Sequence, residues 1–462
     1  MRISSVIQIA KQYLVVGSIA SILFLIGYFV IYRRLLKGCR KLDLKQIILT
    51  TILIIYVGIV LGATLGIRSS GFEGINFHLF SSYIEAWNSF SLREWRLLIL
   101  NILMFVPLGF ILPLFLKKCE KWYITYLIGF ASTLFIEVTQ LISKRGIFEF
   151  DDILNNTLGC MIGYGIVMIF IIAFKKKNQK NKAMLTIAYQ IPIIITVIIF
   201  SVVFISYSKQ ELGNLSITNS YKVDMSDIDV QTKLNLQDKP QKAFVYKATV
   251  GTKSEALKLA NKILSNVNKE VDESKNDEYD ETIVYKTEDD KYHLWVNYVG
   301  LTTWYTDFTE IEAKPKKGLS IEDVNSKLSK FGINIPKEAS LEEIDDGRYI
   351  IAVDMKKSGD VYLDGELSCE ISENGIVRGF NNDIIEYKPY KEYDILSEEE
   401  AYNKFLNGEF KLYEPLAKNT KIEVTDINLK YEVDSKGFYQ PVYEINTNIN
   451  KESKVISIPA LR

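Results

Sequence analysis

Histidine and cysteine are scarce in this chain, and their scarcity removes several chemistries at once. Its 462 residues include two histidines, His78 and His293, far apart in sequence. A metal site built on imidazoles is therefore excluded, although one built on carboxylates alone is not. No Ser/His or Cys/His arrangement for nucleophilic catalysis can be drawn. The four cysteines, Cys39, Cys119, Cys160 and Cys369, are spread too thinly for a disulfide framework. Cys369 stands alone in the C-terminal half, which must hold together by its own core. A Gly-rich phosphate loop, a zinc-ligand spacing and a nucleophile elbow are all missing, so no cofactor is expected.

Charge, by contrast, is abundant and divided. Residues 1–206 carry 21 Lys/Arg against 9 Asp/Glu, a net of +12; the remainder carries 34 against 47, a net of −13. The overall −1 thus joins a basic, apolar half to an acidic, Tyr- and Asn-rich half that reads as a folded domain. So acidic a domain argues against nucleic acid as a partner.

Apolar runs of membrane-spanning length fall at 13–32, 47–67, 97–116, 123–142, 154–174 and 184–206. The first is no cleaved signal peptide: it lacks a small-residue cleavage site, and RRLLKGCRK follows as a stop-transfer flank. The flanks at 33–45, 117–121 and 175–182 hold 14 Lys/Arg, whereas those at 1–12, 68–96 and 143–150 hold 7. By the positive-inside rule the first group faces the cytoplasm. The N-terminus and everything after 207 are then expected outside the cell. The plan is a six-span membrane domain over 1–206, a stalk and linker over 207–250 and an extracytoplasmic domain over 251–462.

Within the spans, polar residues recur at helical spacing. Thr133, Glu137 and Gln140 form one stripe; Asp152, Asn156, Gly159 and Gly163 form another. Gly159 and Gly163 make a GxxxG, which lets a neighbouring helix approach closely. Asn101 lies near one end of the third span, with Pro107 and Gly109 deeper and assigned to helix packing. In the expected topology Asn101, Glu137, Gln140, Asp151, Asp152 and Asn156 sit at one depth, beside a turn carrying Arg145. Two readings stand. In one, the groups satisfy each other: Asn101 and Asn156 bond Glu137, and Arg145 pairs with Asp151 or Asp152. In the other, they form an outward-facing pocket that binds a polar headgroup, or in which Glu137 and Asp152 act as acid and base.

The islands Asn101, Phe105-Val106-Pro107-Leu108-Gly109, Glu137 with Gln140, Arg145-Gly146, Phe148-Glu149-Phe150-Asp151-Asp152 and Asn156-Thr157-Leu158-Gly159 occur in order. Over roughly residues 50–174 this pattern resembles the VanZ-like family of membrane proteins, with Glu149 where Asp is commoner. The resemblance implies a multi-pass protein of the cell envelope; the family's namesake is linked to lower susceptibility to lipoglycopeptide antibiotics of the teicoplanin type. No residue inherits a catalytic role from it.

In the acidic half, three capping boxes announce short helices: Thr252 with Glu255, Ser320 with Asp323, and Ser397 with Glu400. Gly332 and Gly408 are placed to end the second and third. Each helix is followed by alternating strand-like sequence, as in ETIVYKTEDDKYHLWVNYV, CEISENGIVRGF and FYQPVYEINT. Cap-to-cap spacings of 68 and 77 residues admit a repeated helix-plus-antiparallel-sheet unit. The last unit resembles PepSY-like and YycI-type extracytoplasmic modules, some of them tied to two-component sensors. Trp295, Trp304, Tyr305 and Phe308 are either core residues or an aromatic binding surface.

The sequence therefore predicts a membrane all-α bundle of VanZ-like type followed by an α+β extracytoplasmic domain. Three functions remain open: binding or altering an outer-leaflet envelope component or antibiotic, serving a sensor kinase as an accessory, or acting as an enzyme on a lipid-linked substrate. Membrane lipids are partners in every case.

Overall fold

The computed structural model describes residues 3–39, 41–66, 74–175, 182–279, 282–337, 339–344, 347–358, 360–412, 416–450 and 452–462. Much of the basic flank over 175–182 and the start of the 68–96 loop therefore lie outside the described residues. The chain divides into two units, Met1–Glu211 and Leu212–Arg462.

The first unit is helical: α1 (Ile3–Ile26), α2 (Leu44–Leu61), α3 (Ser81–Ser89), α4 (Leu92–Phe115), α5 (Trp122–Ile142), α6 (Phe150–Lys175) and α7 (Lys182–Lys209). Among the described residues, six helices are long and apolar enough to cross a membrane: Lys11–Leu35, Leu44–Gly66, Leu92–Phe115, Trp122–Ile142, Phe150–Phe174 and Lys182–Lys209. Their outward faces carry large exposed apolar residues such as Ile22, Leu103, Phe135 and Ile198, as helices bathed in lipid should. This is a multi-pass membrane protein. Starts are set locally: Asp43 caps α2 in a reciprocal box with Gln46, and Ser91 caps α4 through the Glu94 N–H.

α4 and α6 form the tightest contact of the bundle, and glycine makes it so. A Cβ at Gly159 would lie 1.9 Å from the Ile102 carbonyl oxygen, one at Gly163 2.0 Å from that of Val106, and one at Gly109 1.9 Å from that of Cys160. Backbone thus rests on backbone, the geometry small residues allow in membranes. The matched pairs advance together along both helices, so α4 and α6 run parallel. Pro107 does not share this contact. It is exposed on α4, because the helical period turns it away from buried Phe105, Leu108 and Leu112.

The second unit is α+β. A large sheet takes strands β3 (Asp229–Thr232), β4 (Gln241–Ala248), β5 (Asp277–Glu278), β6 (Thr282–Lys286), β7 (Tyr292–Asn297), β8 (Thr303–Asp307), β9 (Ser340–Ile344), β10 (Arg348–Ser358), β11 (Val361–Ile371), β12 (Val377–Asn382), β13 (Ile385–Ile395), β14 (Lys421–Val433), β15 (Phe438–Ile449) and β16 (Glu452–Pro459). Two further strands, β1 (Ile75–Asn76) and β2 (Phe148–Glu149), pair in the first unit. The main path runs β3-β14-β15-β4-β13-β11-β12-β8-β7-β6-β5. Helices α8 (Lys253–Ser265), α9 (Ile321–Leu328) and α10 (Glu398–Leu406) begin at the three capping boxes, each with both reciprocal bonds formed. Gly332 and Gly408 take the left-handed conformation beyond the latter two, at φ 75° and 73°.

Two cores form beneath the sheet. Ala260, Leu264 and Val324 of α8 and α9 pack on Leu294, Tyr305, Ile351 and Phe380; Ala401 and Phe405 of α10 pack on Ile422, Ile445 and Ile458. Each helix is followed by an antiparallel run of strands, but α8 and α9 share one core, so the cap spacing does not mark three separate units. The segment 207–250, expected as stalk and linker, is only partly so. Ala243 and Val245 are buried in alternation with exposed Lys242 and Phe244, and this alternation makes Gln241–Ala248 a sheet strand.

Candidate functional site

Four spans and one short helix bring polar groups together where α5 ends and α6 begins. Asn156 Nδ2 donates to Thr133 Oγ1 at 2.9 Å, which fixes the register of antiparallel α5 and α6. One turn along each helix, that register sets Glu137 level with Asp152. Glu137, 1% exposed, accepts from the Glu149 backbone N–H at 3.2 Å. Asp152 accepts from Asn101 Nδ2 at 2.6 Å, joining α6 to α4. Gln140 Nε2 donates to the Thr64 carbonyl at 2.9 Å and ties α5 to the second span.

The neighbouring aspartate serves a different end. Asp151 is buried and accepts from the backbone N–H groups of Phe80 at 2.6 Å and Ser82 at 2.7 Å, and from Ser81 Oγ at 3.3 Å. It thereby caps α3, whose entry residue Phe80 is left-handed at φ 66°. Tyr83 of α3 donates its hydroxyl to Asn155 Oδ1. Burial first, then the charges of Asp151 and Asp152, push the Tyr83 phenol up to about 12.

Several expected pairings are replaced by others. Arg145 is exposed, and its guanidinium donates to the Leu65 carbonyl at 2.7 Å rather than to Asp151 or Asp152. Asp151 is already held by backbone donors, and Asp152 is turned to α4. Asn101 bonds Asp152 and Asn156 bonds Thr133, where each was expected on Glu137. Asn155, Thr64 and Tyr83 also belong to the cluster. Asn155 lies one turn after Asp151, a spacing legible in DDILNN, whereas Tyr83 arrives from a loop helix that carries no such signal.

Not every polar atom here is satisfied by protein. Gln140 Oε1, Asn156 Oδ1, Asn155 Nδ2 and Thr157 Oγ1 are buried without a hydrogen-bond partner among the described residues. Buried polar atoms are nearly always paired, so an acceptor and donor set of this kind suits a polar guest or ordered water. Close by, an apolar groove of about 400 Å³ lies between the second, third and fourth spans, lined by Tyr56, Val60, Leu61, Phe105, Phe135 and Ile136.

Residues 19–171 match the VanZ/LLP1 family model. Over these residues the helical unit is VanZ-like. Among curated proteins nothing matches the chain. Among solved structures, the chain is similar to an uncharacterized protein from Eubacterium rectale at 12% identity and TM-score 0.27, over 50% of this chain and 87% of that one. It is also similar to the Bacillus megaterium YpeB C-terminal domain at 14% identity and TM-score 0.21, over 46% of this chain and 93% of that one. Likeness at this level carries no functional inference.

Proposed function

We propose that the VanZ-like domain binds a polar component of the cell envelope among Glu137, Gln140, Asp152 and Asn156, and so lowers susceptibility to lipoglycopeptide antibiotics of the teicoplanin type. The site then faces the outer leaflet, with the C-terminal unit outside the cell, as the excess of basic residues on the opposite flanks favours. One observation carries the reading: Gln140 Oε1 and Asn156 Oδ1 are buried acceptors with no partner among the described residues, beside a buried Glu137. An ionisable group inside a span costs about 2.5–3.5 kcal/mol on insertion scales, and an unpaired buried polar group about 1–3 kcal/mol. A purely structural network would close such bonds.

The test compares antibiotic susceptibility of cells expressing the protein, Glu137→Gln or Asp152→Asn, with membrane levels and thermal stability measured alongside. Normal levels with the protective phenotype lost are expected. Full protection from both variants would overturn the reading. Protection conferred by the C-terminal unit with its last span alone would assign the function to signalling instead.

A further inference from the structure

Trp304 and Trp295 do not join the core of the second unit, although neighbouring Tyr305 does. Strand alternation sends Tyr305 inward onto Phe331 and Phe380 and sends the tryptophans to the opposite face. The two indoles stack across β7 and β8 at 4.9 Å between ring centres and 25° between planes, and Trp304 remains 53% exposed. Trp304 lines a groove of about 370 Å³ on this face, within the size range of small-ligand sites. Trp295 does not line it, so Trp295 braces the ring from behind and leaves the other indole face to the groove.

The rest of the groove combines exposed Ile311 with polar groups carried by four strands. Thr306, Gly379, Glu370 and Arg348 stand in one cross-strand row from β8 through β12 and β11 to β10. At a strand spacing of about 4.8 Å the row spans roughly 14 Å, room for a short oligosaccharide. Gly379 leaves its middle bare; a Cβ there would lie 2.9 Å from the Tyr305 carbonyl oxygen. Glu370 is held between two guanidiniums, with Arg348 Nε at 3.3 Å and Arg378 Nη1 at 3.2 Å. Arg378 is further fixed by donating to the Ile311 carbonyl at 2.6 Å, yet its Nε is buried without a partner.

We infer that this face of the sheet is a saccharide-binding groove. A flat, braced indole suits the apolar face of a pyranose ring, and fixed Arg, Glu and Asn groups suit its hydroxyls. Both guanidiniums are engaged by Glu370, which partly neutralises them and disfavours a strongly anionic ligand. A quaternary ammonium is disfavoured by the same guanidiniums. An extended peptide gains its hydrogen bonds at a sheet edge rather than on a face, where the strand backbones are already paired. This site is separate from the one in the membrane domain and does not rest on it.

The test uses the full-length protein in a detergent without a sugar headgroup. It is titrated with β-1,4-N-acetylglucosamine, β-1,4-glucose and α-1,4-glucose oligomers, and binding is read from tryptophan fluorescence and calorimetry. Saturable binding of at least one series in the millimolar range or tighter is expected. Trp304→Ala should weaken it about tenfold or more, as loss of a central aromatic anchor does. Trp304→Tyr, which keeps an aromatic ring, should stay within about threefold, and it guards against misfolding of the alanine variant. No saturable binding by any series, unchanged binding by a folded Trp304→Ala variant, or Trp304-dependent binding of tetraglycine alone would each overturn the inference.

Discussion

Asn156 donates its side-chain amide to Thr133 at 2.9 Å, and its side-chain oxygen stays buried with no partner among the described residues. One half of the side chain thus sets the register of α5 against α6, while the other half is the acceptor that the proposed site would use. The two roles can be separated. Thr133→Val removes the acceptor and strands the Asn156 amide, and should cost about 1–3 kcal/mol. Thr133→Val combined with Asn156→Leu replaces both partners by apolar groups and should recover most of that loss. Thermal unfolding in detergent measures both; a single variant as stable as wild type would show the bond contributes nothing.

Gly163, like Gly159, should be hard to replace on α6. A side chain there meets the Val106 carbonyl at 2.0 Å, so α4 must move away along its length. Gly163→Leu is expected to reduce the yield of folded protein several-fold, overpacking of a tight contact costing about 1–3 kcal/mol or more. Ile169, 40% exposed on the same helix, should accept leucine without loss. Equal yields from the two variants would remove the α4–α6 contact as a determinant of folding.

Orientation can be read with native Cys39 as an internal control, since Cys39 is exposed while Cys119, Cys160 and Cys369 are buried. Ser216 is exposed just beyond the last span. In intact cells, Ser216→Cys should react with a membrane-impermeant thiol reagent, and Cys39 only after permeabilisation. The reverse pattern would invert the topology.

Helix starts and membrane spans were legible because both are written locally. Thr252–Glu255, Ser320–Asp323 and Ser397–Glu400 each form the full box that their spacing announces. Gly159 and Gly163 likewise meet a neighbouring helix as GxxxG implies. Partner choice within the polar cluster was not legible. Asp151 and Asp152 are adjacent in sequence, but their side chains point about 100° apart around the helix. One is taken by the 80–82 loop and the other by Asn101, and nothing local says which. β4 escaped notice because its alternation is blurred: consecutive Val245 and Tyr246 are both buried, while Phe244 is exposed between Ala243 and Val245.

Glu432 gives the second unit a pH dependence of definite sign. Burial first, and then the charge of Glu444, raise its carboxyl above the usual glutamate value. The folded state therefore binds this proton more tightly than the unfolded chain. Its contribution is most favourable below the ordinary glutamate range near pH 4.3 and is lost as pH rises through the raised value. Glu432→Gln should accordingly raise the unfolding temperature of the second unit at pH 7 and make little difference near pH 4. A stabilisation that grows toward acid pH would contradict the assignment.

Asp151 and Asp152 should fail in different ways. Asp151 accepts two backbone N–H bonds and one hydroxyl from the 80–82 loop, so its charge holds the start of α3 in place. Asp151→Asn keeps the size but replaces one accepting oxygen by a donor, which faces an N–H it cannot bond. Part of the loop should then detach, at about 1–3 kcal/mol, with faster hydrogen exchange and proteolysis over 76–90. Asp152 instead accepts from Asn101 Nδ2 at 2.6 Å, and Asp152→Asn can keep that bond by presenting its carbonyl oxygen. Its exchange pattern over 76–90 should match wild type while the protective phenotype falls. If both variants loosen the loop alike, the cluster is one structural network; if neither does, Asp151 is not the cap that its hydrogen bonds describe.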